Sequence, residues 1–181
     1  MDKKKFYIVA SLTGIILISY LTRKPLIKKV KNVISAIKKK QFIESVTPTV
    51  KQIAEKIGVP YKFILAQIIL ETGYGTSELF SKYFNTGGIK AVKGQPYVSY
   101  LTTECNKAGV CTKVYQNFAK YNNLAEGLTA HSKILTNRYF KKYANKTTDA
   151  KQYAILLQSG APKYATDPNY IKKIHSIIDT I

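Results

Sequence analysis

The sequence predicts an α+β domain, mainly helical, with one β-hairpin lobe, preceded by an N-terminal transmembrane helix. Three observations carry that class. Apolar residues recur at helical spacing through most of the chain beyond Pro25. One pair of stretches, 97–104 and 110–118, is instead rich in Val, Tyr and Thr on either side of Asn106, Lys107, Ala108 and Gly109, which signals a hairpin. Residues 6–22 carry no charge and follow Lys3, Lys4 and Lys5. With 181 residues, 45% of them hydrophobic, there is material for one core. The expected organisation is an anchor over 1–24, a basic amphipathic linker helix over 25–43 and a single folded domain over 44–181.

The formal charge of +19 calls for a polyanionic partner: nucleic acid, an anionic membrane surface or a cell-wall polymer. Nucleic acid ranks last. No basic run is interleaved with zinc-finger spacing, an RNP-type aromatic strand or a phosphate-cradling glycine loop.

In chain order, the stretch 6–22 is close to the lower limit of about 17 residues for a spanning helix. A cleaved signal peptide competes with an uncleaved anchor, but 17–22 offers no small-x-small cleavage site. The stronger basic cluster follows this stretch, and the positive-inside rule then argues for a cytoplasmic C-terminal side. Past Pro25, Leu26, Val30, Val33, Ile34 and Ile37 form an apolar stripe among lysines. Two readings stay open for it: a helix lying on an anionic membrane surface, or a spacer packed on the folded domain. Thr47-Pro48 starts the next helix, which Gly58 stops.

Pro60 opens a run that is apolar apart from Gln67 and ends at Glu71, where Gly73 and Gly75 supply the positive-φ stop. Apolar neighbours and the negative end of the helix dipole both disfavour a charged Glu71, so its pKa is expected to rise, as a general acid requires. The competing reading lets Glu71 emerge into solvent where the helix ends. A short helix over 77–83 and a Gly-rich loop over 85–90 follow. Cys105 and Cys111 flank the hairpin turn, within reach of disulfide geometry on the oxidising side of a membrane; free thiols are the alternative. No metal or other cofactor is expected, since His131 and His175 lie far from the cysteines in sequence. Helices over 124–136, 149–158 and 168–181 complete the chain, with Tyr164 in the last loop.

The pattern Ala66-Gln67-x-x-Leu70-Glu71-Thr72-Gly73-Tyr74-Gly75-x-Ser77 resembles the signature of a peptidoglycan-hydrolysing glucosaminidase family, of flagellar muramidase and autolysin type, that also includes phage lysins. Asn85-Thr86-Gly87-Gly88-Ile89-Lys90, Thr102-Thr103-Glu104, Phe118-Ala119-Lys120-Tyr121 and Tyr164-Ala165-Thr166-Asp167-Pro168-Asn169-Tyr170 follow in the family's order, so the resemblance covers about 41–181. Thr72, Tyr74 and Gly87 stand where the family usually has Ser, Trp and Phe.

The resemblance implies a lysozyme-like fold for 44–181 and a glycosidase acting on peptidoglycan. It assigns Glu71 as acid and Glu104 as the second carboxylate, which activates water; the alternative is substrate assistance, with Tyr164 orienting the sugar's acetamido group. Tyr74, Asn85 and Tyr170 are the expected glycan contacts, by hydrogen bonding and ring stacking. Such an enzyme acts outside the cytoplasm, held by its anchor, or in the membrane of a virus particle. That expectation outweighs the charge bias of the flanks. Two other classes remain open: a wall-binding protein with a dead hydrolase fold, and a basic membrane-anchored protein that binds nucleic acid.

Overall fold

The computed structural model describes residues 23–105 and 109–181, which divide into two compact units between Gln41 and Phe42. The anchor expected over 6–22 lies outside the described residues. Among those described, no helix is long and apolar enough to cross a membrane.

Helix α1 runs Arg23–Ile57, so the linker helix and the helix expected from Thr47 onward are one element. Pro48 removes a backbone N–H that would normally close a helical turn. Around it the Ser45 and Thr47 hydroxyls donate back to the carbonyls of Phe42 (2.8 Å) and Ile43 (2.6 Å). Val46, Val50 and Ala54, one turn apart and at most 3% exposed, hold the helix to the core across the proline. Tertiary burial overrides the local break.

Helix α2 (Tyr61–Thr72) is the centre of the second unit, as its nearly all-round apolar sequence demands. Phe63, Ile64, Leu65, Ile68 and Ile69 are each no more than 2% exposed, and α2 packs against α5 (Ala150–Ser159) and α6 (Tyr170–Ile178). Gly73 caps it in the left-handed region, φ 56°, with its N–H on the Ile69 carbonyl. Helix α3 (Glu78–Tyr83) starts on Ser77, whose side chain accepts from the Phe80 N–H. Helix α4 (Leu124–Leu135) is capped in the same way by Asn123 and passes so close to Phe84 that a Cβ on Gly127 would sit 1.9 Å from its carbonyl oxygen. Only glycine lets that helix approach the loop.

Strands β1 (Tyr97–Cys105) and β2 (Cys111–Ala119) form the expected antiparallel hairpin, in register from Tyr97 opposite Ala119 to Cys105 opposite Cys111. Its two faces separate by alternation: Val98, Tyr100, Thr102 and Glu104 are half-buried while Tyr97, Ser99, Leu101 and Thr103 are exposed. The side chain of Cys105 lies outside the described residues.

Candidate active site

The end of α2, the start of α3, the loop after Phe84 and the inner face of the hairpin enclose a groove of about 340 Å³. Glu71, Glu78, Asn85, Tyr100 and Thr102 are among its walls. A larger cleft, about 1010 Å³, lies around Gly58 to Lys62 at the other end of α2 and contains neither expected carboxylate. The chemistry follows the smaller one.

Glu71 is not buried as the apolar run suggested. It is exposed, because the last turn of α2 opens into the groove. Crowding by the groove walls still desolvates the carboxylate and holds its pKa above the ordinary 4.5. The expected direction therefore holds, with desolvation as its cause. The chain then makes an unusual turn, with Gly73, Tyr74 and Gly75 all at positive φ (56°, 58° and 77°). Thr72 ties this turn down: its hydroxyl donates to the Ile68 carbonyl at 2.6 Å and accepts from the Gly75 N–H at 2.9 Å. Sequence reasoning had Thr72 only as a departure from a family motif.

Glu104 lies further out on the hairpin, on the same face as Tyr100 and Thr102, and its Oε1 is 2.9 Å from the Lys90 Nζ. The two carboxylates thus sit on different elements, one helical and one on the lobe, and Glu104 is not among the groove walls. A third carboxylate, Glu78, was missed. It lines the groove and bonds Lys82 and the Tyr100 hydroxyl, which together lower its pKa, Lys82 most. From the other side, desolvation first and then Glu78 push Tyr100 up to about 12. Glu78 on α3 and Tyr100 on the hairpin both line the groove. Glu78 and Lys82 stand at the i,i+4 spacing of an ordinary surface pair, so nothing local in the sequence sets Glu78 apart.

The expected glycan contacts separate. Asn85 is 1% exposed and spends its amide on backbone, donating to the Ile89 and Ala119 carbonyls (both 2.9 Å) and accepting from the N–H groups of Ile89 (2.8 Å) and Gly87 (3.4 Å). Such a side chain shapes the loop and has no donor left for a sugar. Tyr170 is 5% exposed and its hydroxyl accepts from Gln67 Nε2 at 2.8 Å, so it is a core residue and not a stacking platform. Tyr74 is half-buried, edge-on to Phe42 at 6.5 Å, beside the strained turn and not among the groove walls.

Tyr164 is half-buried between Phe140 (5.2 Å between ring centres) and Tyr170 (5.7 Å). Burial raises its pKa to about 12, against a lowering hydrogen bond from Gln67, with the Glu71 charge adding to the rise. Tyr164 is not among the groove walls. His131, which sequence reasoning weighed only as a zinc ligand, is instead buried, with its Nε2 3.3 Å from Gln67 Oε1. Among the described residues no group of His, Cys, Asp and Glu is arranged to hold a metal.

Known proteins share this sequence and fold. The profile of the glucosaminidase family, described as mannosyl-glycoprotein endo-beta-N-acetylglucosaminidase, matches residues 47–181. Among curated relatives, the peptidoglycan hydrolase FlgJ of Salmonella typhimurium is 34% identical over 151 residues, covering 78% of this chain and 46% of that protein. The exo-glucosaminidase LytG of Bacillus subtilis is 32% identical over 143 residues, covering 76% and 50%. The chain thus spans about half the length of these relatives. Among solved structures, the catalytic domain of the Listeria monocytogenes autolysin Auto superposes with a TM-score of 0.71 at 26% identity, covering 86% of this chain and 93% of that one. A truncated glycoside hydrolase domain of Salmonella typhimurium FlgJ gives 0.62 at 32%, covering 78% and 96%. The helical body with its two-stranded lobe is the fold of these hydrolase domains, and the chain belongs to the glucosaminidase family of glycosidases.

Proposed function

We propose that this chain hydrolyses the glycan strands of peptidoglycan, as an N-acetylglucosaminidase or muramidase, with Glu71 as the general acid. The observation that carries the reading is a carboxylate of raised pKa, Glu71, in a groove between the helical body and the hairpin. Glu71 protonates the glycosidic oxygen so that the alcohol can leave while positive charge develops on the sugar. Glu104 then activates a water, or the substrate's own acetamido group attacks with Tyr164 orienting it. The names of FlgJ and LytG, a peptidoglycan hydrolase and an exo-glucosaminidase, support this substrate class. Digestion of purified peptidoglycan followed by mass spectrometry tests it: soluble fragments are expected, and their reducing-end sugar names the bond cut. Intact wall after prolonged digestion rejects the reading.

The proposal extends to location. Residues 6–22 anchor the chain in a membrane with the folded domain outside the cytoplasm, or in the membrane of a virus particle, and Cys105 and Cys111 form a disulfide there. Three observations support this. Ile27, Val30, Ile34 and Ile37 form a stripe about half exposed (47–51%). No acidic residue stands between Asp2 and Glu44, a composition suited to anionic headgroups. The two cysteines are register partners, and no described cysteine is free. One measurement addresses both parts: the chain should be recovered with membranes, and its thiols should resist alkylation until a reductant is added. Recovery in the soluble fraction rejects the anchor, and immediate alkylation of both thiols rejects the bond.

A further inference from the structure

The apolar residues of α1 change character along the helix. Val46, Val50 and Ala54 are at most 3% exposed, whereas Ile27, Val30, Val33, Ile34 and Ile37 are 47–52% exposed. At 3.6 residues per turn these last five fall within one arc of about 120°. Lys31 and Lys38 border one edge of that arc and Lys29 and Lys40 the other, while Lys28, Asn32, Ser35 and Lys39 fill the far side.

Water is a poor environment for such an arc. Each β-branched residue gives up side-chain freedom in a helix, and left in solvent it gains no burial in return. A cover is therefore required, and charge selects it. No acidic residue stands between Asp2 and Glu44. A second copy of the helix, paired along Ile27, Val30, Ile34 and Ile37, would bring Lys31 and Lys38 alongside the seam with no carboxylate there to offset them. An anionic lipid surface matches both halves of what the helix presents. Acyl chains take the arc, and headgroup phosphates take the lysines on its edges, whose stems reach past the apolar residues. Among the described residues no helix is long and apolar enough to cross a membrane, so such contact runs along the helix and not through the bilayer.

We propose that residues 26–40 of α1 bind an anionic lipid surface, lying in the headgroup plane with Ile27, Val30, Val33, Ile34 and Ile37 inward. This goes beyond the anchor proposed over 6–22 and does not require it. Nor does it require the chain to cleave glycan.

The chain contains no tryptophan, so a single one introduced into it reports on its own position. The full chain carrying Ile34→Trp is reconstituted with vesicles of phosphatidylcholine alone or mixed with phosphatidylglycerol. In the mixed vesicles its emission should shift to shorter wavelength, and lipids brominated on the upper acyl chain should quench it. Both effects should be lost in phosphatidylcholine alone and in high salt. Asn32→Trp, on the far side, should show neither. Adding Lys31→Gln and Lys38→Gln to Ile34→Trp should raise the share of phosphatidylglycerol needed for the same shift. A shifted emission that brominated lipid leaves untouched means a protein cover, from a second copy or from the chain itself, and overturns the proposal. Equal quenching at the two positions, or in the two kinds of vesicle, overturns it too. Recovery of the chain with vesicles while Ile34→Trp stays unshifted overturns the surface helix and leaves the anchor standing. A soluble chain whose Ile34→Trp is quenched on anionic vesicles supports the helix and rejects the anchor. If Ile34→Trp fails to fold, Ile37→Trp on the same arc takes its place.

Discussion

Glu71→Gln is expected to abolish glycan cleavage, by a factor on the order of 10² to 10⁴, while the domain still folds and binds wall. The amide keeps the shape of the side chain and holds no transferable proton. The turn beyond it is braced by Thr72 and Gly73, so folding does not depend on the carboxylate. Because desolvation raises the Glu71 pKa above 4.5, the protonated acid persists to higher pH than an ordinary glutamate allows. Turnover should therefore decline as pH rises through that raised value, and the decline should belong to Glu71. The same shift has a stability consequence of opposite benefit. The folded state holds this proton more tightly than the unfolded chain, so the carboxylate weakens the fold above its raised pKa. Glu71→Gln should be at least as stable as the unmutated chain at neutral pH, and any advantage should vanish as pH falls through 4.5. Thermal melts at two pH values beside a fragment-release assay check both halves; activity retained within about tenfold rejects Glu71 as the acid.

What the sequence discloses about this site is what short-range physics determines. Helix α2 and its stop are legible because an apolar run and a positive-φ glycine act locally, and the hairpin because its alternation and turn residues are contiguous. Pro48 misleads for the same reason: it is a local signal, and the packing of Val46, Val50 and Ala54 outweighs it. The side-chain roles are longer-range. Asn85 finds its Ala119 partner 34 positions away, and Gln67 finds Tyr170 and His131 at 103 and 64. No periodicity carries such pairings, so Asn85 and Tyr170 read as sugar contacts until their hydrogen bonds are seen. Gln67 gives one faint signal, a polar residue where a buried helix should have none. A buried amide implies partners but does not name them.

Glu104 is where the two mechanisms part. If it activates water, Glu104→Gln should lower turnover by about 10² or more with little change in glycan affinity, because the lost interaction exists mainly in the transition state. Its ion pair with Lys90, 2.9 Å long between half-exposed side chains, is worth about 0–1 kcal/mol, so the loss of activity should far exceed any loss of stability. That contact occupies one carboxylate oxygen and leaves the other for a water. Azide needs no general base. Added to Glu104→Gln, it should restore cleavage and yield a glycosyl azide of inverted configuration. Under substrate assistance the acetamido group does this work, and a substrate without its N-acetyl group should resist even the unmutated enzyme. Glu104→Gln turning over at the normal rate would remove Glu104 from the chemistry and leave its carboxylate as a partner for Lys90 on the hairpin surface.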